Sequence, residues 1–394
     1  MQQRKIITRV VLLVSLVSLF TDIASEMLYP VMPVYLRSIG FSVLLIGVLE
    51  GLAEATAGLS KGYFGHMSDR KGLRMPFIRW GYGLSAVSKP LMAAFIFPLW
   101  IFFARTVDRL GKGIRTSARD ALLSDEATPQ TKGKVFGFHR SLDTVGAAIG
   151  PLLALVFLGI FPGQYRLLFV IAVIPGIVAI VITFLVKEKQ KTAVNTGTGK
   201  SFFSYFSYWK RSNILYKRMI PALLVFTLFN SSDAFLLLSV KEKLGSDQLM
   251  IGFYIFYNLI YALASYPLGA LADKIGLKTV LIMGLLLFSI TYFFFGFAVT
   301  FIHFGLLFFL YAFYAASSEG ITKAMISNIS DPSETATAIG LFNSMASICT
   351  LFASSLAGFI WFTFSMKTMF LVSGIGVVLV AIYLVFTTRN TKMV

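Results

Sequence analysis

Apolar runs of about 20 residues, enough to cross a bilayer, recur along the whole 394-residue chain and are separated by short polar hinges. Cutting at charged and Gly/Pro hinges gives segments near 8–37, 43–66, 76–96, 98–118, 133–160 and 165–186. A second set follows near 217–240, 249–272, 277–298, 303–325, 335–362 and 368–387. The runs are unbroken and lack the period-two alternation of a barrel strand, which excludes a transmembrane barrel. The pattern predicts an all-α membrane protein with twelve transmembrane helices in two six-helix bundles, residues 1–186 and 217–394, joined by a linker at 187–216. The first run follows Arg4, Lys5 and Arg9 as in a signal peptide, but no small-residue cleavage site follows, so it is expected to stay as the first crossing.

Composition strengthens this picture. Mean hydropathy is +0.78, 57% of residues are hydrophobic and 13% are charged, against roughly 25% charged in a soluble domain. The net charge of +17 sits mostly in the connections, which reads as topology and not as nucleic-acid binding. Eight basic residues (Lys187, Lys189, Lys191, Lys200, Lys210, Arg211, Lys217, Arg218) lie between Lys187 and Arg218 around the central linker, with the aromatic run Ser201–Trp209. That stretch is expected to lie partly on the membrane surface. The basic loops Asp69–Arg79 and Arg115–Lys134, the linker and the tail Arg389–Lys392 share one side, which puts both termini in the cytoplasm of a cell with a bacterial-type inner or plasma membrane. The single cysteine, Cys349, excludes an intramolecular disulfide.

The two halves are related. Gly65-His-Met-Ser-Asp69-Arg70-Lys71-Gly72-Leu-Arg74 matches Gly269-Ala-Leu-Ala-Asp273-Lys274-Ile-Gly276-Leu-Lys278 at an offset of 204, and Gly137-Phe-His-Arg-Ser141 matches Gly340-Leu-Phe-Asn-Ser344 at 203. Two matches at nearly one offset indicate an internal duplication. The first stretch resembles the signature loop of the major facilitator superfamily, with a weaker copy in the second half. The resemblance covers essentially the whole chain and implies that fold, secondary transport and a monomer. It also implies a conformational latch at Gly65, Asp69, Arg70 and Gly72, with Arg74, Asp273 and Gly276 completing the two copies. Gly146, Gly150 and Pro151 resemble part of the antiporter motif of that superfamily, although Leu152 and Leu153 stand where small residues are expected. Physically, glycines four apart allow close helix contact and Pro151 permits a bend.

Ionisable residues inside apolar segments are costly and mark function. Asp22 and Glu26 lie one turn apart on one helix face with Tyr29 a turn further, and Glu50 and Glu54 repeat the spacing. Lys89, Arg105, Asp108, Arg109, His139, Arg140 and Asp143 complete the first half. The second offers Asn230, Asp233, Tyr254, Asn258, Tyr261, Glu319 and Lys323. Packing and neutralising pairs are the competing readings, above all for Glu319 with Lys323 and for Arg105, Asp108 and Arg109. Gly111-Lys112-Gly113 is only a fragment of a phosphate loop, and the histidines, His66, His139 and His303, are too dispersed for a structural metal. With no catalytic motif either, the chain is expected to be neither an enzyme nor a cofactor carrier.

The expected activity is proton-coupled export of a small cationic or amphipathic solute by antiport, with substrate, protons and the bilayer as partners. Two alternatives keep the fold. Carboxylates suit a divalent cation, while Arg140 and Lys89 suit an anion such as a carboxylate or iron chelate.

Overall fold

The computed structural model describes residues 6–29, 31–188 and 201–387, and among them every regular element is helical. First come α1 (Arg9–Glu26), α2 (Met32–Ser38), α3 (Val43–Lys71), α4 (Met75–Ala94), α5 (Pro98–Asp125), α6 (Lys132–Ile160), α7 (Tyr165–Ile171) and α8 (Val173–Leu185). A 3₁₀ turn (Ser204–Ser207) and α9 (Tyr208–Arg211) belong to the linker. Then follow α10 (Ile214–Phe229), α11 (Ala234–Leu244), α12 (Asp247–Ile275), α13 (Leu277–Phe295), α14 (Phe301–Ile329), α15 (Thr335–Thr363) and α16 (Met366–Thr387). With α1–α2, α7–α8 and α10–α11 taken as interrupted crossings, the described helices make the twelve that the pattern predicts. Arg4, Lys5, Lys189, Lys191, Lys200 and the tail Arg389–Lys392 lie outside the described residues, as does the side chain of Glu50.

Eight spans, all from Lys132 onward, are long and apolar enough to cross a membrane by composition. Among the described residues the first four crossings carry Asp22, Glu26, Glu54, Lys89 and the charges of α5 within their length. Hydropathy counts such residues as if they faced lipid, whereas Lys89, Arg105 and Asp108 are buried in protein. One expectation changes as well. The basic stretch Arg115–Lys134 reads as a loop, yet α5 continues to Asp125 with Arg115, Arg119 and Asp120 buried.

Local chemistry explains the helix ends. Thr8, Asn213, Ser246 and Thr300 each cap a helix by accepting a backbone N–H with the side chain. Gly72 and Gly276, the paired motif glycines, take φ of 63° and 100°, a backbone region costly for other residues.

The chain forms two compact units. One gathers the residues up to Glu126 with Leu142–Arg211 and Asp331–Ser344, and the other gathers Ala127–Ser141, Ser212–Ser330 and the residues from Met345 on. The first turns of α6 therefore group with the second unit, and those of α15 with the first. Small residues set the packing inside each. In the first unit a Cβ at Gly146 would meet Asp22 Cβ at 3.0 Å, and one at Gly150 would meet Glu26 Cβ at 2.8 Å. The Gly146–Gly150 motif thus seats α6 directly against the two acidic residues of α1. In the second unit Gly133 and Gly269 bring α6 and α12 into backbone contact.

A side chain at Gly269 would collide with the Gly133 carbonyl, whereas Gly83 has nothing within 4 Å of its Cβ position. Gly269→Val should lower the melting temperature in detergent by several degrees, in line with about 1–3 kcal/mol for overpacking. Gly83→Ala should leave it unchanged or raise it.

Candidate functional site

The signature-loop carboxylates cap helices. In the first unit Asp69 accepts from the Thr337 backbone N–H and hydroxyl, both at 2.6 Å, and from the Ala336 N–H at 3.4 Å, at the start of α15. Arg74 pairs with the same carboxylate at 2.5 Å and reaches Asp125 at 3.7 Å. In the second unit Asp273 accepts from the N–H groups of Gly133 at 2.7 Å and Lys134 at 2.9 Å, at the start of α6. The capped positions stand at the same 203-residue offset as the sequence repeat. An anion at a helix N-terminus satisfies orphan N–H groups and meets the positive end of the dipole. Arg70 lies exposed at the end of α3. A third cap was not legible beforehand: Glu188 accepts from the backbone N–H groups of Arg74 and Met75 and closes the start of α4.

The buried charges of the first unit sort into neutralised sets and a remainder. Lys89, 2% exposed, bonds Asp108 at 2.8 Å, and Arg105 and Ser88 hold the same carboxylate at 3.5 and 3.2 Å. Arg119 grips Asp120 through two nitrogens, at 3.1 and 3.0 Å, donates to Ser18 at 3.0 Å and stands 3.9 Å from Asp143. Arg115 donates to Ser85 at 2.5 Å and lies 4.5 Å over the Tyr82 ring. These groups answer one another and account for the architecture of α4 and α5.

The remainder is acidic. Asp22, Glu26 and Asp143 lie within electrostatic reach of one another. Asp143 also accepts the Ser18 hydroxyl at 2.5 Å. Glu26 keeps one buried carboxylate oxygen without a hydrogen-bond partner. Glu54, half exposed, meets Arg109 only at 3.6 Å. Lys112 interacts electrostatically with Asp22, Glu26 and Glu54, yet no hydrogen bond or ion pair joins it to them among the described residues. Sequence reasoning missed Lys112, which it met only as a phosphate-loop fragment, and also Ser18, Arg115, Arg119 and Asp120. The signal was present: positions 105, 109, 112, 115 and 119 keep a three-and-four spacing that places their basic groups along one side of α5.

The second unit holds a different set. Arg140 binds Tyr261 Oη and Glu319, both at 2.5 Å, with its guanidinium 5.1 Å from the Tyr261 ring. Lys323 follows Glu319 by one turn on α14, and His139 is buried beside Arg140 on α6. Asn230 and Asp233 bound the break between α10 and α11. Asn230 donates to Tyr314 Oη at 3.0 Å, and Tyr311 donates to Asp233 at 2.6 Å. Tyr257, Tyr311 and Tyr314 stack in sequence at 5.1–5.2 Å. An interrupted helix with polar groups at the break is how membrane transporters expose ligating groups in mid-bilayer. Among the described residues no three His, Cys, Asp or Glu side chains converge to hold a metal.

A helical membrane bundle with paired caps and ionisable residues inside is the anatomy of a secondary transporter. The sequence model of the Major Facilitator Superfamily matches residues 14–257 and 234–393, and the chain belongs to that family. An uncharacterized MFS-type transporter of Methanocaldococcus jannaschii is 34% identical over 357 residues, 89% of this chain and 88% of its own length. The staphyloferrin B transporter of Staphylococcus aureus is 29% identical over 269 residues, 65% of this chain and 63% of its own. Multidrug resistance protein MdtG of Serratia proteamaculans is 24% identical over 278 residues, 68% of this chain and 66% of its own. The crystal structure of the human organic anion transporter TETRAN superimposes with a TM-score of 0.80 at 17% identity, over 97% of this chain and 100% of that one. The protein is accordingly a multi-pass membrane transporter of the major facilitator fold, a family of transporters and not of enzymes, and it moves small-molecule substrates.

The Lys89–Asp108 pair reads as structural. Asp108→Asn strands a buried ammonium and should cost about 3–5 kcal/mol, seen as a large fall in thermal stability of the purified protein. Lys89→Met/Asp108→Leu should recover most of it. An unaltered melting curve for Asp108→Asn would show that the pair carries no structural load.

Proposed function

We propose that the protein is a proton-coupled antiporter that exports a small cationic or amphipathic solute by alternating access, as a monomer, from an inner or plasma membrane with both termini in the cytoplasm. The observation that carries this reading is the grouping of three acids, Asp22, Glu26 and Asp143, with one buried Glu26 oxygen left without a hydrogen-bond partner. Acids grouped in an apolar setting cannot all stay ionised without cost, so such a group favours holding a proton. A cation entering beside Asp22, Glu26 and Glu54 displaces that proton, and this exchange couples the two fluxes. Glu50 belongs to the same coupling set by its sequence spacing from Glu54. Within the second unit Arg140, Glu319, Lys323, Asn230 and Asp233 form a polar set of their own that serves transport, and His139 relays protons. Asp69, Arg74 and Asp273 with Gly65, Arg70, Gly72 and Gly276 latch one conformation, and Gly146, Gly150 and Pro151 let α1 and α6 move against each other. The name of the MdtG relative supports drug export.

A second reading has its own observation. Arg105, Arg109 and Lys112 line one side of α5, which suits an anionic solute, and the staphyloferrin B transporter is among the relatives. The divalent-ion reading finds no ligand set among the described residues.

Currents from protein reconstituted on a solid-supported membrane under an imposed pH gradient separate these readings. Tetraphenylphosphonium should evoke a current in the wild type that is lost in Asp22→Asn. A current evoked by citrate and not by tetraphenylphosphonium, insensitive to Asp22→Asn but lost in Lys112→Gln, would replace the cation reading with the anion one.

A further inference from the structure

The linker turn has two unlike faces. Inward, Tyr205 and Tyr208 are 0% and 3% exposed. The Tyr205 ring lies where a Cβ at Gly62 would stand, next to Ser344. Burial and the neighbouring carboxylates of Glu334 and Asp69 push the Tyr208 phenol up, so it stays neutral. Arg211 pairs with Glu334 at 2.8 Å. These contacts fix the turn against α3 and the start of α15 within the first unit. Outward, Phe202, Phe203 and Phe206 are 38%, 56% and 39% exposed.

Those outward rings are not isolated. Phe202 stacks on Tyr63 of α3 at 4.9 Å and meets Phe203 edge-on at 5.2 Å, and Phe203 approaches Phe206 at 6.2 Å. In the other direction Tyr63 meets Phe64 at 5.1 Å, and Phe64 meets Phe77 of α4 at 6.4 Å. The result is an aromatic ladder two turns before α3 ends at Lys71, and rings of this kind favour the membrane–water interface. Trp80, one turn past Phe77, is 71% exposed.

Charge brackets the ladder. Lys71 lies 5.9 Å over Phe77 at one end, and Lys210 is exposed at the other. Between Lys187 and Arg218 the sequence has eight basic residues and one acid, Glu188, whose carboxylate is engaged at the start of α4. A ring cluster flanked by lysines, in a linker whose one acid is engaged elsewhere, complements a negatively charged leaflet. Each basic residue near such a surface adds attraction, and the rings seat at the acyl boundary.

We propose that the Ser201–Arg211 turn is a docking element for anionic lipid, with Phe202, Phe203 and Phe206 at the acyl boundary and acidic headgroups on Lys71 and Lys210. Through Tyr205 and the Arg211–Glu334 pair, lipid composition then bears on α3 and on the helix start that Asp69 caps. The claim is independent of the transported solute.

The test uses the full-length chain in nanodiscs of phosphatidylcholine alone or mixed with phosphatidylglycerol in equal parts. An environment-sensitive fluorophore is placed at Phe203→Cys, or at Phe206→Cys should the first fold poorly, in a Cys349→Ser background. The expected result is blue-shifted emission with quenching by shallow spin-labelled lipid, several-fold stronger with phosphatidylglycerol. Lys71→Glu/Lys210→Glu should abolish that dependence while the melting temperature holds. Iodide quenching of the fluorophore that is identical in both lipids would overturn the proposal. Lipid quenching without headgroup dependence, or headgroup dependence that survives the charge reversal, would overturn it as well.

Discussion

A charge placed in hydrocarbon must be answered inside the fold, and most of this structure follows from that constraint. Removing an ion from water costs several kcal/mol, which is recovered only with close partners and full hydrogen bonding. The first unit meets this demand along α5. Asp108 is shared by Lys89 and Arg105, Asp120 is gripped by Arg119, and Arg115 rests on Ser85 and the Tyr82 ring. What is left after these sets are satisfied is the carboxyl group of α1 and α3 with Lys112 standing near it. The place where compensation is incomplete is the place we propose for transport.

Helix ends pose the same demand in milder form, because the first N–H groups of a helix have no partner within it. Asp69 answers for α15 and Asp273 for α6, at positions related by the internal repeat, while Glu188 answers for α4. The first two helix starts therefore group with the unit that caps them and not with the rest of their own helix. Each such cap contributes on the order of 1 kcal/mol. The glycines at 72 and 276 let the chain turn immediately after each capping carboxylate.

The fold was legible because lipid permits so few spanning structures: uninterrupted apolar runs, a repeat at one offset and a basic linker leave little freedom. Asp22, Glu26, Glu54 and Asp143 were also legible, since a carboxylate in an apolar run is rare enough to stand out. Arg115, Arg119 and Asp120 were not, because a basic stretch after an apolar run looks like a cytoplasmic loop until the helix is seen to continue through it. Lys112 was masked by its glycine neighbours. That Arg140 meets Tyr261 and Glu319, and that Asp69 meets Thr337, depends on contacts between distant segments that no local pattern encodes.

The central claim is that the group of Asp22, Glu26 and Asp143 holds a proton that an arriving cation releases. Detergent-solubilised protein in weakly buffered solution with a pH indicator tests this without membranes or gradients. Adding tetraphenylphosphonium should acidify the solution in proportion to the protein present, and Asp22→Asn should bind the cation without acidification. Binding by the wild type with no proton release, or the same release from Asp22→Asn, would contradict the account.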